Sequence, residues 1–581
     1  MKLHKYVKNI LQGLYSSIKR FPVTILISAS LAAILILISE INPRKNYLMK
    51  IALVLSIGIP LSLCIKHFFE KRSEKNSYKL IATYIFSALL LLIYYFSLSK
   101  DIGMITTTRT IAINLALYLG FLFIPYFPKK DQFEIYVITV LTGFFTTLIY
   151  SIVLFLGLSA ILFTIDKLLG IIILGKIYYY TWLFVVFIFG VSYFLATVPL
   201  KNQIITPKSY PKLLRILLLY IVMPLLTAYT IILYIYFGKI IITMVWPSGI
   251  VSHLVLWYSI IVTGVLFFIT PLHHENSWAN KFSKFAPKII LPLLIMMFIS
   301  IGIRINAYGI TERRYYVVIL TIWVFCMMLY FSFAKKLRNI VIPTTLSIVM
   351  LFSVLGPFSS YSISKISQNN RFQQILLKNN MIKDGNLKIS PNISKEDKFQ
   401  ISSILTYFHR NHNLKYIKYL PKNFKLSDTN SVLGFPLEDT SYASPERFFT
   451  FIRNESQTPM NIKEYDYLID ITNLNNNKYK KDIGNIPLNV VYTNESNSIK
   501  IKYTGKEIYK KDLSYFIKNL ADKYETLSAP DSIPSEDMIL IDENEKIKVK
   551  FIFCHISGTQ NQSTKPINVN ELNFYLLIKI K

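Results

Sequence analysis

Residues 135–164 read IYVITVLTGFFTTLIYSIVLFLGLSAILFT, thirty positions without one Asp, Glu, Lys or Arg. A hydrocarbon core about 30 Å thick is crossed by roughly 20 apolar residues of helix. A helix also satisfies its own backbone polar groups, which lipid cannot. The stretch therefore predicts a membrane span, and its excess length predicts a tilt or a break near Gly157. Outward from it, runs of the same kind occupy 21–39, 48–69, 79–98, 110–127, 178–199, 213–238, 249–271, 287–303, 315–333 and 339–358, making eleven in all. The run at 287–303 is short and holds Pro292. Between the fifth and sixth runs, Asp166 to Tyr180 is apolar but carries Lys167, Gly170, Gly175 and Lys176, a pattern suited to an interfacial or re-entrant piece.

Composition agrees. Of 581 residues 52% are hydrophobic and only 17% charged, with 39 Tyr and 40 Phe. Soluble domains average about 45–50% apolar and about 25% charged. A wholly soluble enzyme, a disordered chain, a coiled coil and a disulfide scaffold are excluded. Cys64 and Cys326 lie in apolar runs and Cys554 in an alternating segment, so all three read as buried packing residues without metal or redox spacing.

The net charge of +31 is unevenly spread, +24 over residues 1–358 and +7 over 359–581. Most of the excess sits in short loops between apolar runs, as membrane topology requires, and nucleic acid is not expected as a partner. With the N-terminus inside, the inner connections hold 22 Lys and Arg against 11 in the outer ones. That bias predicts a cytoplasmic N-terminus in a plasma membrane. Eleven spans then put the remainder of the chain outside the cytoplasm. The first run is too long for a typical signal-peptide core and no A-x-A-like site precedes Asn42–Pro43, so it reads as a retained span.

Composition changes after Phe358. Residues 1–358 form the polytopic helical region, 359–384 a juxtamembrane connecting helix, and 385–581 a soluble α+β domain expected to fold by itself. Ser394 before Glu396 and Asp397, followed by Phe399, Ile401, Ile404, Leu405 and Phe408, predicts a capped helix. A second helix is expected at about 510–525 from the shared face of Leu513, Phe516, Ile517, Leu520 and Tyr524. Alternation predicts strands at Tyr465 to Ile471, Ile499 to Tyr503 and Ile547 to Phe553, with a last one at Leu572 to Ile580. Leu488 to Tyr492 and Ser498 to Tyr503 flank a hairpin loop at Thr493–Asn497.

No phosphate-binding loop, zincin, nucleophile-elbow or dinucleotide-binding signature is present. Glu40, Asp101, Asp166 and Arg304 fall at the ends of runs, so no mid-span carboxylate marks an ion-coupled carrier. Pro60, Pro125, Pro224 and Pro292 read as tolerated kinks. His273 and His274 beside Glu275 would diverge on a helix, and His409 with His412 reads as a solvated, basic helix end. No cofactor or metal is expected. The stretch Tyr308-Gly309-Ile310-Thr311-Glu312-Arg313-Arg314-Tyr315 is the most specific: a glycine turn, a capping Thr311, Glu312 in a first helical turn and two arginines on the outer side. Tyr308, Thr311, Arg313 and Arg314 are the expected contact for an anionic group, either a lipid phosphate or a carboxylate of the soluble part.

At these residues the chain resembles the bacterial membrane-protein family known as domain of unknown function 4153. The resemblance rests on Arg20-Phe21-Pro22, Trp246-Pro247-Ser248-Gly249, the Tyr308 to Tyr315 stretch, Gly356-Pro357-Phe358 and Ser367-Gln368-Asn369-Asn370-Arg371-Phe372, and runs at least to Asp384–Gly385. It implies a multi-pass envelope protein with no established activity and carries over no catalytic residues. The leading expectation is a non-enzymatic protein of the bacterial cell envelope, in contact with the bilayer and with anionic lipid or envelope components. Its soluble domain would bind a ligand or partner. A permease or flippase, and a membrane-embedded enzyme acting on lipid or cell-wall precursors, are the alternatives.

Overall fold

A computed structural model describes residues 12–41, 46–72, 77–98, 103–127, 132–171, 173–200, 210–243, 250–383, 385–390, 393–438, 446–454, 462–471, 481–483, 487–493, 497–524, 531–561 and 567–581. Asn42–Pro43, Asp101, the Trp246 to Gly249 motif, Asp384 and the centre of the 493–497 loop lie outside the described residues. Two compact units result: residues 1–397 with 404–435, and residues 398–403 with 436–581.

The first unit holds an integral-membrane helical bundle. Its helices are α1 (Pro22–Glu40), α2 (Asn46–Arg72), α3 (Ser77–Ser97), α4 (Met104–Phe123), α5 (Phe133–Leu169), α6 (Gly175–Thr197), α7 (Lys212–Thr243), α8 (Ile250–Ile269), α9 (Ser277–Tyr308), α10 (Glu312–Phe333) and α11 (Val341–Val354). Among the described residues, ten helices are long and apolar enough to cross a membrane, and α11 is shorter. The eleventh run was expected over 339–358. Its helix stops at Val354 because Gly356 takes a left-handed φ of 77° and Pro357 cannot continue the ladder. At about 1.5 Å per residue its 14 residues reach about 21 Å.

Lateral contacts fix which helix ends lie together. At one end, Arg20 donates to Glu70 (3.0 Å) and to the Val198 carbonyl (2.8 Å), and the Tyr210 hydroxyl donates to the Phe268 carbonyl (3.0 Å). Asn339 there donates to Glu134 (2.7 Å) and Thr270 (2.9 Å). At the other end, Lys176 pairs with Glu40 (2.9 Å) and Lys50 donates to the Leu98 carbonyl (3.1 Å). Tyr361 reaches the Ile105 carbonyl there (3.2 Å) and Tyr315 the Phe358 carbonyl (2.7 Å). Asn339 and Phe358, on either side of α11, thus stand at opposite ends of the bundle. Between them Trp323 donates to Thr345 (3.0 Å) and Ser347 to the Ala116 carbonyl (2.9 Å), so α11 lies along α10 and α4.

Three details sharpen the sequence reading. The long run around Gly157 is one unbroken 37-residue helix, α5, ended by Gly170 at φ 65°. The segment after it is a connection, tied by Asp166 accepting from the Ile173 amide (3.3 Å), that leads straight into α6. The short run with Pro292 is part of the 32-residue α9, which contains both Pro287 and Pro292. Wide π turns interrupt α6 at Val185–Gly190 and α7 at Leu217–Val222. Such turns leave carbonyls under-used; the buried Ser28 of α1 donates to the Phe187 carbonyl at 2.6 Å.

The bundle is followed by α12 (Ser360–Lys378), a small hairpin pairing Ile382–Lys383 with Asn386–Leu387, and α13 (Lys395–Asn411). As the sequence predicts, Ser394 caps α13 by accepting from the Asp397 amide (3.1 Å).

The second unit is α+β. Its strands are β1 (Glu446–Arg453), β2 (Tyr467–Ile471), β3 (Lys481–Ile483), β4 (Leu488–Thr493), β5 (Ser498–Tyr503), β6 (Lys506–Asp512), β7 (Asp531–Ile533), β8 (Ile539–Glu543), β9 (Ile547–Asn561) and β10 (Ile567–Ile580), with helix α14 (Ser514–Lys523) after β6. One sheet runs β2-β10-β9-β1-β7, with β8 also on β9; the other runs β3-β4-β5-β6. The expected hairpin pairs Tyr492 with Ile499. The core is Val490, Ile501, Ile517, Phe551, Phe553 and Phe574, all fully buried.

Candidate functional site

The corner between α9 and α10 is where the sequence-quoted motifs meet. After Tyr308 the chain must leave one helix and start another within three residues. Gly309 does this at φ 67°, its amide still bonded to the Ile305 carbonyl (2.8 Å). A Cβ there would also come within 2.7 Å of the Gln368 amide nitrogen, so glycine is required twice over. Two residues of α12 complete the turn. Ser367 accepts from the Ile310 amide (2.8 Å), and Gln368 donates to the carbonyls of Tyr308 and Ile310 (both 3.1 Å). The Ser367 to Phe372 motif and the Tyr308 to Tyr315 stretch are therefore two halves of one structure.

The expected contact residues divide. Arg314 donates to the carbonyls of Tyr308 (3.1 Å) and Gly309 (2.8 Å), with its guanidinium 5.4 Å from the centre of the Tyr308 ring. Arg371 of α12 joins them, donating to the Tyr308 carbonyl (3.2 Å), 5.8 Å from the same ring. Burial pulls the Arg371 guanidinium below its usual pKa. Thr311 occupies the N-cap position in extended backbone, but its side chain makes no capping bond. Arg313 is exposed and forms no ion pair among the described residues.

Glu312 was expected only to favour the first helical turn. Instead it is buried and anchors a polar cluster. Its Oε1 accepts from Ser364 of α12 (2.8 Å) and from Tyr407 of α13 (2.7 Å), and lies 2.6 Å from His412 Nε2. Tyr407 also reaches Oε2 (2.7 Å) and stands 3.1 Å from His412 Nε2. An ionised carboxylate only accepts, so Nε2 carries a hydrogen toward it. Burial, then the neighbouring Glu312 charge, pushes the Tyr407 phenol well above its usual range, keeping it a donor. His412 overturns its sequence reading: its side chain is 1% exposed rather than solvated, packed on Tyr407 and Phe408. The i, i+3 pair looked like one basic face, but α13 ends at Asn411 and His412 turns inward from its C-cap.

Around this cluster α12 and its neighbours are stitched further. Asn369 donates to the Tyr416 carbonyl (2.9 Å) and accepts from the Lys418 amide (2.8 Å). Asp397 takes Lys378 (3.0 Å) and Asn379 (3.1 Å). Burial alone would raise the Asp397 carboxyl, yet these hydrogen bonds hold it below the usual carboxylate range. The arrangement is a clamp. Oε1 of Glu312 is fully engaged by protein donors.

Among the described residues no group of three or more His, Cys, Asp or Glu could hold a metal. His273 meets Ser283 (2.7 Å) and Glu275 pairs with Arg215 (2.8 Å), so that trio does not converge. Cys64 is buried, but Cys326 is exposed on the bundle surface and Cys554 is half-buried, contrary to a packing role for all three.

Sequence reasoning named Tyr308, Arg314 and the α12 motif but missed Ser364, Tyr407 and His412. The available signal was that Glu312 and a later His would be unsatisfied if both were buried.

Comparison with known proteins fits this picture. Over 205 residues the chain is 24% identical to an uncharacterized protein, PM1469, of Pasteurella multocida (strain Pm70), covering 35% of this chain and 34% of that protein. The chain thus matches about a third of that relative's length. No solved structure matches. The family described as Domain of unknown function (DUF4153) matches residues 23–389, a range that takes in the bundle, the Gly309 turn, Glu312, Ser364 and Gln368, and this chain belongs to that family.

Proposed function

We propose that the chain is a bacterial plasma-membrane protein of the cell envelope whose bundle carries an extracytoplasmic α+β domain for binding a ligand or partner. The observation that carries this reading is the alternation of contacts along the bundle. Asn339 and Phe358 stand at opposite ends, so α11 counts as an eleventh crossing despite its length. The end holding Arg20, Glu134 and Asn339 belongs to the connections richer in Lys and Arg, which favours the cytoplasmic side for it. Residue 359 onward then starts on the outer side, with 359–384 as the connecting segment and 385–581 as the soluble part. The clamp at Glu312 fixes α12 and the end of α13 on the start of α10. The corner formed by Tyr308, Thr311, Arg313 and Arg314 lies on that outer side, where the exposed Arg313 suits a lipid phosphate.

A protease added to spheroplasts should remove a tag fused after Lys581, and inverted vesicles should protect it. The reverse pattern overturns the reading.

A further inference from the structure

Helices α7, α8 and α9 enclose a groove of about 690 Å³ lined by Ile231, Ile235, Tyr258, Lys281, Phe285 and Ile289, among others. Pockets of about 300–1,000 Å³ hold a small amphiphile. Its walls include hydroxyls, but these are spent within the protein. Thr227 donates to the Met223 carbonyl (2.9 Å), Thr230 to the Leu226 carbonyl (2.7 Å) and Tyr234 to the Ile289 carbonyl (2.6 Å), while Tyr258 is bonded to Thr230. What faces the groove is hydrocarbon, and Ile231, Ile235 and Phe285 are more than half exposed.

One edge is strongly basic. The first turns of α9 carry Lys281, Lys284 and Lys288, all exposed, at spacings that put them on one side of the helix. None of the three forms an ion pair among the described residues, and the acid closest to them in sequence, Glu275, is taken by Arg215. An apolar trough beside uncompensated lysines matches one kind of molecule, with hydrocarbon chains and a negative head. A free anion would meet hydrocarbon over most of the groove, and a neutral lipid would leave the lysines without a counter-charge. We propose that this groove is a binding site for an anionic phospholipid, its acyl chain against Ile231, Ile235 and Phe285 and its phosphate at Lys281. The groove would take such a lipid from whichever leaflet the start of α9 occupies.

Native mass spectrometry of the delipidated full chain, titrated with phosphatidylglycerol or phosphatidylcholine micelles, tests it. The parent should retain phosphatidylglycerol preferentially. Lys281→Gln should lower that retention about fivefold, the worth of one lysine near an anionic surface. Ile235→Trp, which fills the trough from an exposed position, should lower it without touching charge, and Lys518→Gln, an exposed lysine of α14, should change nothing. Equal retention of both lipids by the parent overturns the proposal. So does full retention by Ile235→Trp, which would mean that the lysines act without the groove.

Discussion

Glu312→Leu is the sharpest perturbation of the clamp. The change keeps a helix former at the start of α10 but removes the acceptor of Ser364 (2.8 Å), Tyr407 (2.7 Å) and His412 (2.6 Å) at once. Side-chain exposure is 6% for Glu312 and 1% for His412, so water does not replace what is lost. Breaking a buried pair by removing one partner costs about 3–5 kcal/mol. The cost should appear as local opening of α13 and its C-cap, a roughly 10²- to 10⁴-fold rise in the open population. Hydrogen exchange of amides 404–412 in the intact chain reads this directly. Glu312→Gln keeps the shape and an Oε1 acceptor, and should fall between parent and Leu. His412→Leu should cost a similar amount, and the double Leu variant much less than the sum, with a coupling of about 1–3 kcal/mol. If Glu312→Leu exchanges within threefold of the parent, or if the two changes add, the cluster is not a clamp.

Three further outcomes are expected. Gly309→Ala forces a left-handed alanine against Gln368, and should lower the detergent melting stability by about 1–3 kcal/mol, partly restored by adding Gln368→Ala. Arg314→Gln should destabilise by about 1–3 kcal/mol through its lost carbonyl contacts, whereas Arg313→Gln should be near neutral in detergent and felt only in anionic lipid. The fragment 436–581 should melt cooperatively. Asp542, which burial would raise but which Lys511 and Tyr509 hold below the ordinary range, should give it stability that is full above about pH 4 and lost as pH falls through the lowered folded pKa. Asp542→Asn should flatten that acid limb, and an unchanged profile would refute the assignment.

The parts of the fold that were legible in the sequence are those with local signals. Bilayer-length apolar runs and a Ser394 cap are local, and ten spanning helices and the cap appear among the described residues. Helix bounds inside apolar sequence are not: Lys281, Lys284 and Pro287 made the start of α9 read as loop, yet it is helix because one face, through Phe282 and Ala286, is buried. Strand β1 escaped notice because Glu446-Arg447 masks the alternation, while its partners on β9 and β7 are distant in sequence. The clamp was illegible for the same reason. Glu312 and His412 are a hundred residues apart, and a single sequence does not say that both are buried.

The corner also explains what Arg314 and Arg371 do there. The last carbonyls of α9 have no helical donors, and at the bundle's edge they are the negative pole of a 32-residue helix. Arg314, Arg371 and Gln368 all donate to the Tyr308 carbonyl, so the cations serve that pole. Four residues later α10 begins, presenting its positive pole, and the first residue there is Glu312. Opposite charges thus sit on opposite helix ends within one tight turn, and α12 supplies partners to both, Gln368 and Arg371 to one and Ser364 to the other. Reversing either charge would set it against its own dipole as well as its partners. That is why the turn, the acid and the basic pair occur together, and why Arg313, which serves neither pole, is the residue left facing outward.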